Sequence, residues 1–333
     1  MNRRVVSAFL IVTSIIFSGC NRGKTPSGYA FINNGPADFW KHATAGVNKA
    51  GKDFNVDVTV VTPAGATDQT RKLEDLLTRG INGVAISPID PDNQIDTINK
   101  AAAQTNLITH DSDAPNTNRL VYIGMDNYQA GLMCGKALRD AMPDGGKVMI
   151  FVGRMDQDNG KRRRTGVIDA LLDFKPDPNH NYPAGEEVVS VDKKFTVLGT
   201  MTDQFDKAKA KANVEDAVAR NPDIAGMVGL FGYNPPMILE GLERVGKLGK
   251  IKVMAFDEDE GTLQGVKDGN VVATVVQNPY QYGYESIHVL NELHKGNKSI
   301  IPESKFIDIP ARVIDKSSVD AFWTEVKERL GKK

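Results

Sequence analysis

Short apolar runs alternate along the chain with longer amphipathic stretches such as Phe39–Ala50 and Ala208–Val218. Each run is rich in Val and Ile, and this alternation predicts βαβ units with parallel sheets. A run such as Val271–Val276, which is almost entirely apolar, favours a sheet that helices cover on both faces. The predicted strands are Tyr29–Asn33, Val56–Val61, Gly83–Ser87, Leu107–His110, Val121–Gly124, Lys147–Val152, Glu187–Val191, Gly226–Phe231, Lys252–Phe256 and Val271–Gln277.

These ten strands are too many for one small sheet, and the pattern starts again near residue 125. Five strand–helix units precede that point and a similar series follows it. We therefore predict an α/β protein with two doubly wound, Rossmann-like lobes of parallel sheet. The longest irregular stretch, Lys175–Glu186, is predicted to be a surface loop.

The N-terminus carries the signals of an exported protein. Arg3 and Arg4 precede an uncharged run, Val5–Phe17, which is too short to span a bilayer comfortably. The following Ser18-Gly19-Cys20 resembles a bacterial lipobox, although Phe17 stands where Leu is usual. We predict a signal peptide at 1–19 and a polar tether at 20–27, lipidated at Cys20. The alternatives are an ordinary signal peptide in which Cys20 is incidental, or a short N-terminal membrane anchor.

Charge and composition exclude several classes of function. Loss of Arg3 and Arg4 with the leader would leave 39 basic and 42 acidic residues, so nothing favours a nucleic-acid partner. The five histidines are scattered and show no metal-ligand spacing. With Cys20 lipidated, Cys134 would be the only thiol, so no disulfide is expected. We predict no metal, no cofactor and a monomeric chain.

Planar polar side chains and paired aromatics follow several of the predicted strands. In open parallel sheets, ligands bind beyond the carboxyl ends of the strands, so these residues define a candidate cleft. Carboxylate, amide and guanidinium groups can hold neighbouring hydroxyls, and aromatic faces can stack on a sugar ring. No glycine-rich phosphate cradle follows a strand. The segments are Asn33–Trp40, Asp111–Asp113, Asp156–Asn159 with Arg162–Arg164, Asn234, Asp257 and Gln277.

The order and spacing of several short motifs over residues 28–313 resemble the ribose-binding family of periplasmic type I sugar-binding proteins, the solute receptors of ABC importers. Each motif is weak alone, and their succession is specific. The motifs are Asn33-Asn34-(x)-Pro36-(x)2-Phe39-Trp40, Arg79-Gly80-(x)2-Gly83, Ile86-Ser87-Pro88, Asp111-Ser112-Asp113, Gly124-(x)-Asp126-Asn127, Asn159-(x)3-Arg163-(x)2-Gly166, Ala255-Phe256-Asp257 and Ala273-Thr274-(x)2-Gln277-(x)-Pro279.

The resemblance implies a role for each candidate site residue. Asn34, Asp111, Asn234, Asp257 and Gln277 would hydrogen-bond ligand hydroxyls, together with Arg163 from the second lobe. Phe39, Trp40 and Phe205 would stack on the ring.

The resemblance also implies how the chain is divided and how it moves. The N-terminal lobe would comprise 28–124 plus 278–307, and the C-terminal lobe 125–277 plus 308–333. Three strand crossovers near Met125, Gln277 and Ile307 would act as the hinge. An additional residue in the first motif, and His110 before Asp111, depart from ribose binders and put ribose itself in doubt.

Simpler structural interpretations stand beside these roles. Asp111 and Asp257 could merely cap helices. Phe39 and Trp40 point about 100° apart on a helix, so one of them could be a core residue. The basic run Lys161–Arg164 is by itself typical of a solvated helix face.

Three functions compete. The first is capture of a small sugar or polyol for ABC permease subunits, and the second is a receptor lobe for a membrane sensor kinase or chemoreceptor. The third, an enzyme, is disfavoured because no nucleophile–base motif such as Gly-x-Ser-x-Gly is present. A DNA-binding regulator of similar fold would need a helix-turn-helix before Tyr29, where the leader lies. We predict a non-enzymatic binding protein of the cell envelope.

Overall fold

The structure is a computed structural model that describes residues 28–331. The predicted leader, the tether and Cys20 lie outside the described residues. The strands are β1 (Gly28–Ile32), β2 (Asp57–Val61), β3 (Gly83–Ile86), β4 (Asn106–His110), β5 (Tyr122–Gly124), β6 (Gly146–Val152), β7 (Val188–Val189), β8 (Phe195–Thr202), β9 (Ile224–Gly229), β10 (Lys252–Phe256), β11 (Ala273–Val276), β12 (Phe306–Asp308) and β13 (Arg312–Asp315).

Helices connect most consecutive strands, as parallel pairing requires. They are α1 (Phe39–Phe54), α2 (Ala66–Thr78), α3 (Ile95–Ala102), α4 (Asn127–Ala141), α5 (Asp158–Leu172), α6 (Lys207–Arg220), α7 (Asn234–Arg244), α8 (Glu260–Asp268), α9 (Pro279–His294) and α10 (Val319–Arg329). None of the helices within residues 28–331 combines the length and the apolarity that a bilayer span needs.

The strands form two separate sheets, as predicted. The first has the order β12-β5-β4-β3-β1-β2 and is parallel throughout. The second has the order β13-β11-β10-β9-β6-β8-β7, in which only the two edge strands are antiparallel. We call the first sheet with α1–α3 and α9 the first lobe, and the second sheet with α4–α8 and α10 the second lobe.

Successive residues of a strand point to opposite faces of its sheet. In both sheets, apolar side chains on each face pack into a core. In β1, Tyr29 and Phe31 belong to the apolar core under α1 and α9, whereas Ala30 and Ile32 belong to the core under α2 and α3. The second sheet likewise separates two cores. The prediction from the continuous apolar runs is confirmed.

Three strands of the structure, β8, β12 and β13, were not predicted from the sequence. In β8, apolar and polar residues alternate only weakly, and the register against β6 skips Leu198 so that Gly199 pairs with Met149. Such a bulge interrupts the periodicity that marks a strand. The predicted strand Glu187–Val191 is reduced to the two residues of β7 at the sheet edge.

The chain passes between the two sheets three times. It leaves the first sheet after Gly124, returns to it between β11 and α9, and crosses again between β12 and β13. Asp308 still pairs with Gly124 in the first sheet, so the last crossing falls just beyond Ile307. The lobe limits drawn from the sequence, and the hinge motion between the lobes, remain predictions.

Glycines bring one helix pair of each lobe into close contact. A Cβ on Gly131 of α4 would lie 2.3 Å from the carbonyl oxygen of Arg163 in α5, and one on Gly166 would lie 2.2 Å from that of Tyr128. In the first lobe, a Cβ on Gly283 of α9 would lie 2.0 Å from the carbonyl oxygen of Ala43 in α1. Both α1 and α5 begin at the candidate cleft, so these contacts set where its side chains stand.

We expect Gly131→Ala to destabilise the protein by about 1–3 kcal/mol, because α5 must move to admit the methyl group. Gly185→Ala is the matched control, since a Cβ there meets nothing within 4 Å. Urea unfolding of both variants measures the difference. Equal stability of the two would contradict the close contact of α4 with α5.

Candidate ligand-binding site

The carboxylate of Asp111 lies where the two lobes meet. Asp111 follows β4 and is 4% exposed. Its Oδ2 accepts hydrogen bonds from Ser87 Oγ at 2.9 Å, Asn34 Nδ2 at 3.3 Å and Asn159 Nδ2 at 3.4 Å. Ser87 and Asn34 belong to the first lobe, whereas Asn159 is in the first turn of α5. A first-lobe carboxylate is therefore bonded directly by the second lobe.

A second buried carboxylate, Asp257, follows β10 in the second lobe. Its Oδ1 accepts a hydrogen bond of 2.6 Å from Gln277 Nε2, and the hydroxyl of Tyr282 donates to Gln277 Oε1 at 3.1 Å. Gln277 is the residue at the second crossover between the lobes. The hinge and the carboxylate are thus joined by side-chain hydrogen bonds.

Both carboxylates are held on a left-handed backbone, with φ of +59° at Asp111 and +68° at Asp257. Phe205 has φ of +65°. Non-glycine residues in this region cost about 1–3 kcal/mol each and cluster at functional sites. Three of the nine predicted site residues therefore share a strained conformation.

Arg163 is the cation that faces the two carboxylates. Its side chain is 1% exposed, and Nη1 lies 4.0 Å from Asp257 Oδ2. Nε donates to Asn127 Oδ1 at 2.9 Å, and Nη1 donates to the carbonyl oxygen of Leu230 at 2.9 Å. The guanidinium also lies over the Phe256 ring, 5.0 Å from its centroid. Nη2 is buried without a partner.

Burial dominates the electrostatics of this site. Loss of water contact raises the pKa of Asp111 to about 6, and Arg163 and the hydrogen bond from Ser87 oppose the rise. Burial also raises the pKa of Asp257, again against the influence of Arg163. His110, stacked on Phe31 at 3.9 Å, is neutral because burial lowers its pKa to about 3.

The aromatic candidates occupy two different environments. Trp40 is 5% exposed and packs edge-on against Phe31 and His110 in the core of the first lobe. Phe39 is half-buried, and its ring stands perpendicular to Trp40 at 4.8 Å. Phe205 is 38% exposed in the second lobe. The structure thus places Phe39 and Phe205 nearer to solvent and Trp40 in the core of the first lobe.

Asn234 is placed differently from the other candidates. Its Nδ2 donates to Asp203 Oδ2 at 2.9 Å, and its Oδ1 accepts from the backbone N–H of Phe231 at 3.1 Å. Tyr233 also donates to Asp203. Both polar atoms of Asn234 are therefore used within the second lobe. The hydrogen bonds and the Arg163–Asp257 approach bring together five candidates: Asn34, Asp111, Arg163, Asp257 and Gln277.

Polar residues outside the predicted set also belong to this region. Gln157, before α5, is fully buried, and neither its Oε1 nor its Nε2 has a hydrogen-bond partner. Arg154 Nε and Asp156 Oδ1 are buried and unpartnered too. Their position directly after β6 could have marked them as candidate site residues, and Ser87 and Asn159 likewise follow strands. Only Arg163 was chosen from the β6–α5 segment, because the motif spacing pointed to it.

The chemistry of the site is hydrogen bonding by mixed donors and acceptors. Among residues 28–331, no three or more His, Cys, Asp or Glu side chains are grouped so that they could hold a metal ion. Cys134 is fully buried in α4, and burial raises the pKa of its thiol. This thiol is an inert packing residue.

The sequence of the chain matches the family model described as "Periplasmic binding protein domain" over residues 29–298. The chain belongs to the periplasmic binding protein family. The resemblance drawn from the short motifs is confirmed, and so is the type I fold with its two lobes. Because proteins of this family act in the periplasm, membership implies an exported protein.

Two curated relatives of this periplasmic binding protein are similar over most of their length. The ribose import binding protein of Bacillus subtilis (strain 168) is 25% identical over 263 residues, which cover 78% of this chain and 79% of the relative. The D-allose-binding periplasmic protein of Escherichia coli (strain K12) is 22% identical over 286 residues, covering 81% and 86% respectively.

Solved structures agree with the fold. A solute-binding protein of an ABC transporter from Burkholderia graminis, in complex with D-arabinose, superposes with a TM-score of 0.77 at 25% identity and covers 87% of this chain and 96% of its own. One from Agrobacterium vitis with bound D-fucose has a TM-score of 0.78 at 24% identity, covering 90% and 99%.

We expect Asp111→Asn to change how the stability of this periplasmic binding protein depends on pH. With its pKa raised from 3.8 to about 6, wild-type Asp111 holds its proton more tightly folded than unfolded. The contribution of Asp111 to wild-type stability is therefore fully present below about pH 4 and is lost as pH rises to about 7. The full difference is about 3 kcal/mol at ~1.4 kcal/mol per pKa unit.

The asparagine variant lacks this titration, so its stability relative to the wild type should grow between about pH 4 and about pH 7. Urea unfolding of the ligand-free proteins across this range measures it. A stability difference that does not change with pH would show that the carboxyl group is not desolvated.

Proposed function

We propose that this protein captures a small sugar or polyol between its two lobes and delivers it to the permease subunits of an ABC importer. The observation that carries the proposal is three buried polar atoms that have no hydrogen-bond partner within residues 28–331, namely Arg163 Nη2 and both amide atoms of Gln157. Leaving such groups unsatisfied costs about 1–3 kcal/mol each. Hydroxyl groups, which donate and accept, would satisfy them all.

The proposed cage is mixed in charge and suits a neutral polyol. Asp111 and Asp257 would accept from ligand hydroxyls, and Arg163 and Asn34 would donate to ligand oxygens. Phe39 and Phe205 would contribute aromatic walls against the C–H faces of a ring, with Trp40 packed against Phe39 from the core of the first lobe. Gln277 would hold Asp257 in place and complete the cage, with Asn234 behind it.

Ligand binding would favour the closed arrangement of the lobes. Groups from both lobes, Asp111 on one side and Arg163 on the other, would contact the same molecule. A ligand shifts an equilibrium only by its preference for one state, and contacts from both lobes exist only when the cleft is closed. Asn159 already bonds Asp111 across the cleft at 3.4 Å.

The relatives support a sugar as the ligand, since they are binding proteins for ribose and D-allose and solute-binding proteins in complex with D-arabinose and D-fucose. We propose that the chain acts as a monomeric binding protein and not as an enzyme. The two carboxylates of the cage are engaged with amides, a hydroxyl and a guanidinium, which suits recognition.

We further propose that Cys20 carries a lipid that anchors the mature chain in the cell envelope. The support is the order Arg3-Arg4, an apolar run and Ser18-Gly19-Cys20, followed by the polar residues 21–27. Strand β1 begins at Gly28, so the tether would lead directly into the first sheet.

We expect calorimetric titration of residues 27–333 against pentoses, hexoses and polyols to identify a ligand that Arg163→Lys and Asp257→Asn no longer bind. Lysine keeps the charge but loses the planar fork, and asparagine loses the ionised acceptor. Arg220→Gln is the control, because its exposed pair with Asp216 lies outside the cleft. Undiminished affinity of both site variants would show that the ligand binds elsewhere, and no binding to the wild type would refute a sugar or polyol ligand.

We expect Cys20→Ser to move the full-length protein from the membrane fraction to the soluble fraction of an expressing cell, because it removes the proposed lipid attachment site. Cys134→Ala is the matched control, since it changes the other cysteine of the chain and leaves the lipobox intact. Fractionation and intact mass give the result. A membrane-bound Cys20→Ser protein would mean that the apolar leader itself is the anchor.

A further inference from the structure

Four consecutive cations of α5, residues 161–164, have four different surroundings. Arg162 pairs within the helix with Asp158 at 3.0 Å, and Arg163 faces the cleft. Arg164 is 1% exposed and donates to the carbonyl oxygens of Tyr182 and Pro183. Lys161 alone reaches the first lobe. The run is therefore not a solvated helix face.

Lys161 forms an ion pair across the mouth of the cleft. Its Nζ lies 3.1 Å from Asp92 Oδ2, in the connection between β3 and α3. The side chains are 43% and 63% exposed respectively, so the pair lies at the surface. Asn159, two residues earlier in α5, bonds Asp111 in the first lobe. Closure of the lobes onto α5 therefore makes both contacts, and opening breaks both.

Charges from the two lobes also approach each other elsewhere at the mouth. Lys41 lowers the pKa of Asp38 through a hydrogen bond, and Lys207 at the start of α6 adds a smaller effect from the second lobe. Asp259 of the second lobe acts in the opposite sense, because its charge and that of Asp38 repel. The attraction there is partly cancelled by this repulsion, whereas Lys161 and Asp92 form a direct ion pair between the lobes.

We propose that Lys161 and Asp92 form an electrostatic latch across the cleft, which stabilises the closed protein and slows ligand release without touching the ligand. The latch rests on the proposed function, since slow release matters only if a ligand is held between the lobes. Its contribution adds to that of the cage, because neither side chain belongs to the cage.

The latch has two physical signatures. Because the pair is exposed, its contribution is modest, equivalent to about a two- to five-fold change in an equilibrium constant. Salt also screens it, whereas the buried charges of the cage are screened much less. The latch should therefore make ligand release faster at high ionic strength.

We expect Lys161→Met to raise the ligand dissociation rate and Kd about two- to five-fold at low salt. Asp92→Asn should act alike, and the double variant should be no worse than either single one, since both remove the same interaction. Raising the salt to about 0.5 M should erase the difference from the wild type. Lys136→Met, which removes a pair within α4, is the control and should leave release unchanged.

Charge exchange gives a further test. Lys161→Glu with Asp92→Lys should restore slow release that each single reversal removes. Additive single effects, or no recovery in the exchanged pair, would overturn the latch.

The interlobe distance separates failure of the latch from failure of the proposed function. Spin labels at Asp75→Cys in α2 and Asp216→Cys in α6 report the separation in the ligand-free protein. Lys161→Met should shift the population towards longer distances at low salt. An unchanged distance distribution would refute the latch even if a sugar binds, and a shift without sugar binding would leave the latch standing and refute the proposed ligand class.

Discussion

One guanidinium offsets the charge of two buried carboxylates, and the candidate site depends on that arrangement. Asp111 follows a strand of the first sheet, and Asp257 follows a strand of the second. The positive charge of Arg163 attracts both carboxylates. Without the cation, two desolvated negative charges would face each other across the cleft at high cost. Arg163 of α5 therefore counters the charge of a carboxylate from each lobe.

Helix α5 is held by contacts on two of its sides. Gly131 of α4 and Gly166 of α5 let the two helices lie so close together that neither position has room for a Cβ atom. On the outer side, Asp169 accepts hydrogen bonds from the hydroxyls of Tyr128 and Tyr182, at 2.6 and 2.5 Å. Arg164 bonds the outer loop as well. The loop predicted over 175–186 thus has an irregular backbone, but buried side chains hold it against α5. The remaining side of α5 faces the cleft.

Asp111 and Asp257 reach the same cleft because parallel strands end at the same edge of each sheet. Their left-handed backbone turns each side chain away from the strand direction, at a cost that the surrounding hydrogen bonds offset. Thr274 Oγ1 donates to the carbonyl oxygen of Asp257 at 2.7 Å, and Tyr122 donates to that of Asp111 at 2.9 Å. Side chains of the neighbouring strands therefore support this strained backbone.

The sequence by itself determined the two-lobed α/β architecture and the position of Asp111, Asp257 and Gln277 after strands, because apolar periodicity and chain order are local properties. It also pointed to Arg163, through its spacing from Asn159 and Gly166. Only the tertiary structure decided that Trp40 packs in the core while Phe39 lies nearer to solvent, and that Asn234 bonds Asp203. Only the tertiary structure shows that the four cations of α5 differ. Arg163 faces the cleft, Arg164 bonds the loop over 175–186, and Lys161 and Arg162 form ion pairs. These outcomes depend on which residues distant in sequence become neighbours, and that is fixed by how helices and sheets pack against each other, which no local pattern records.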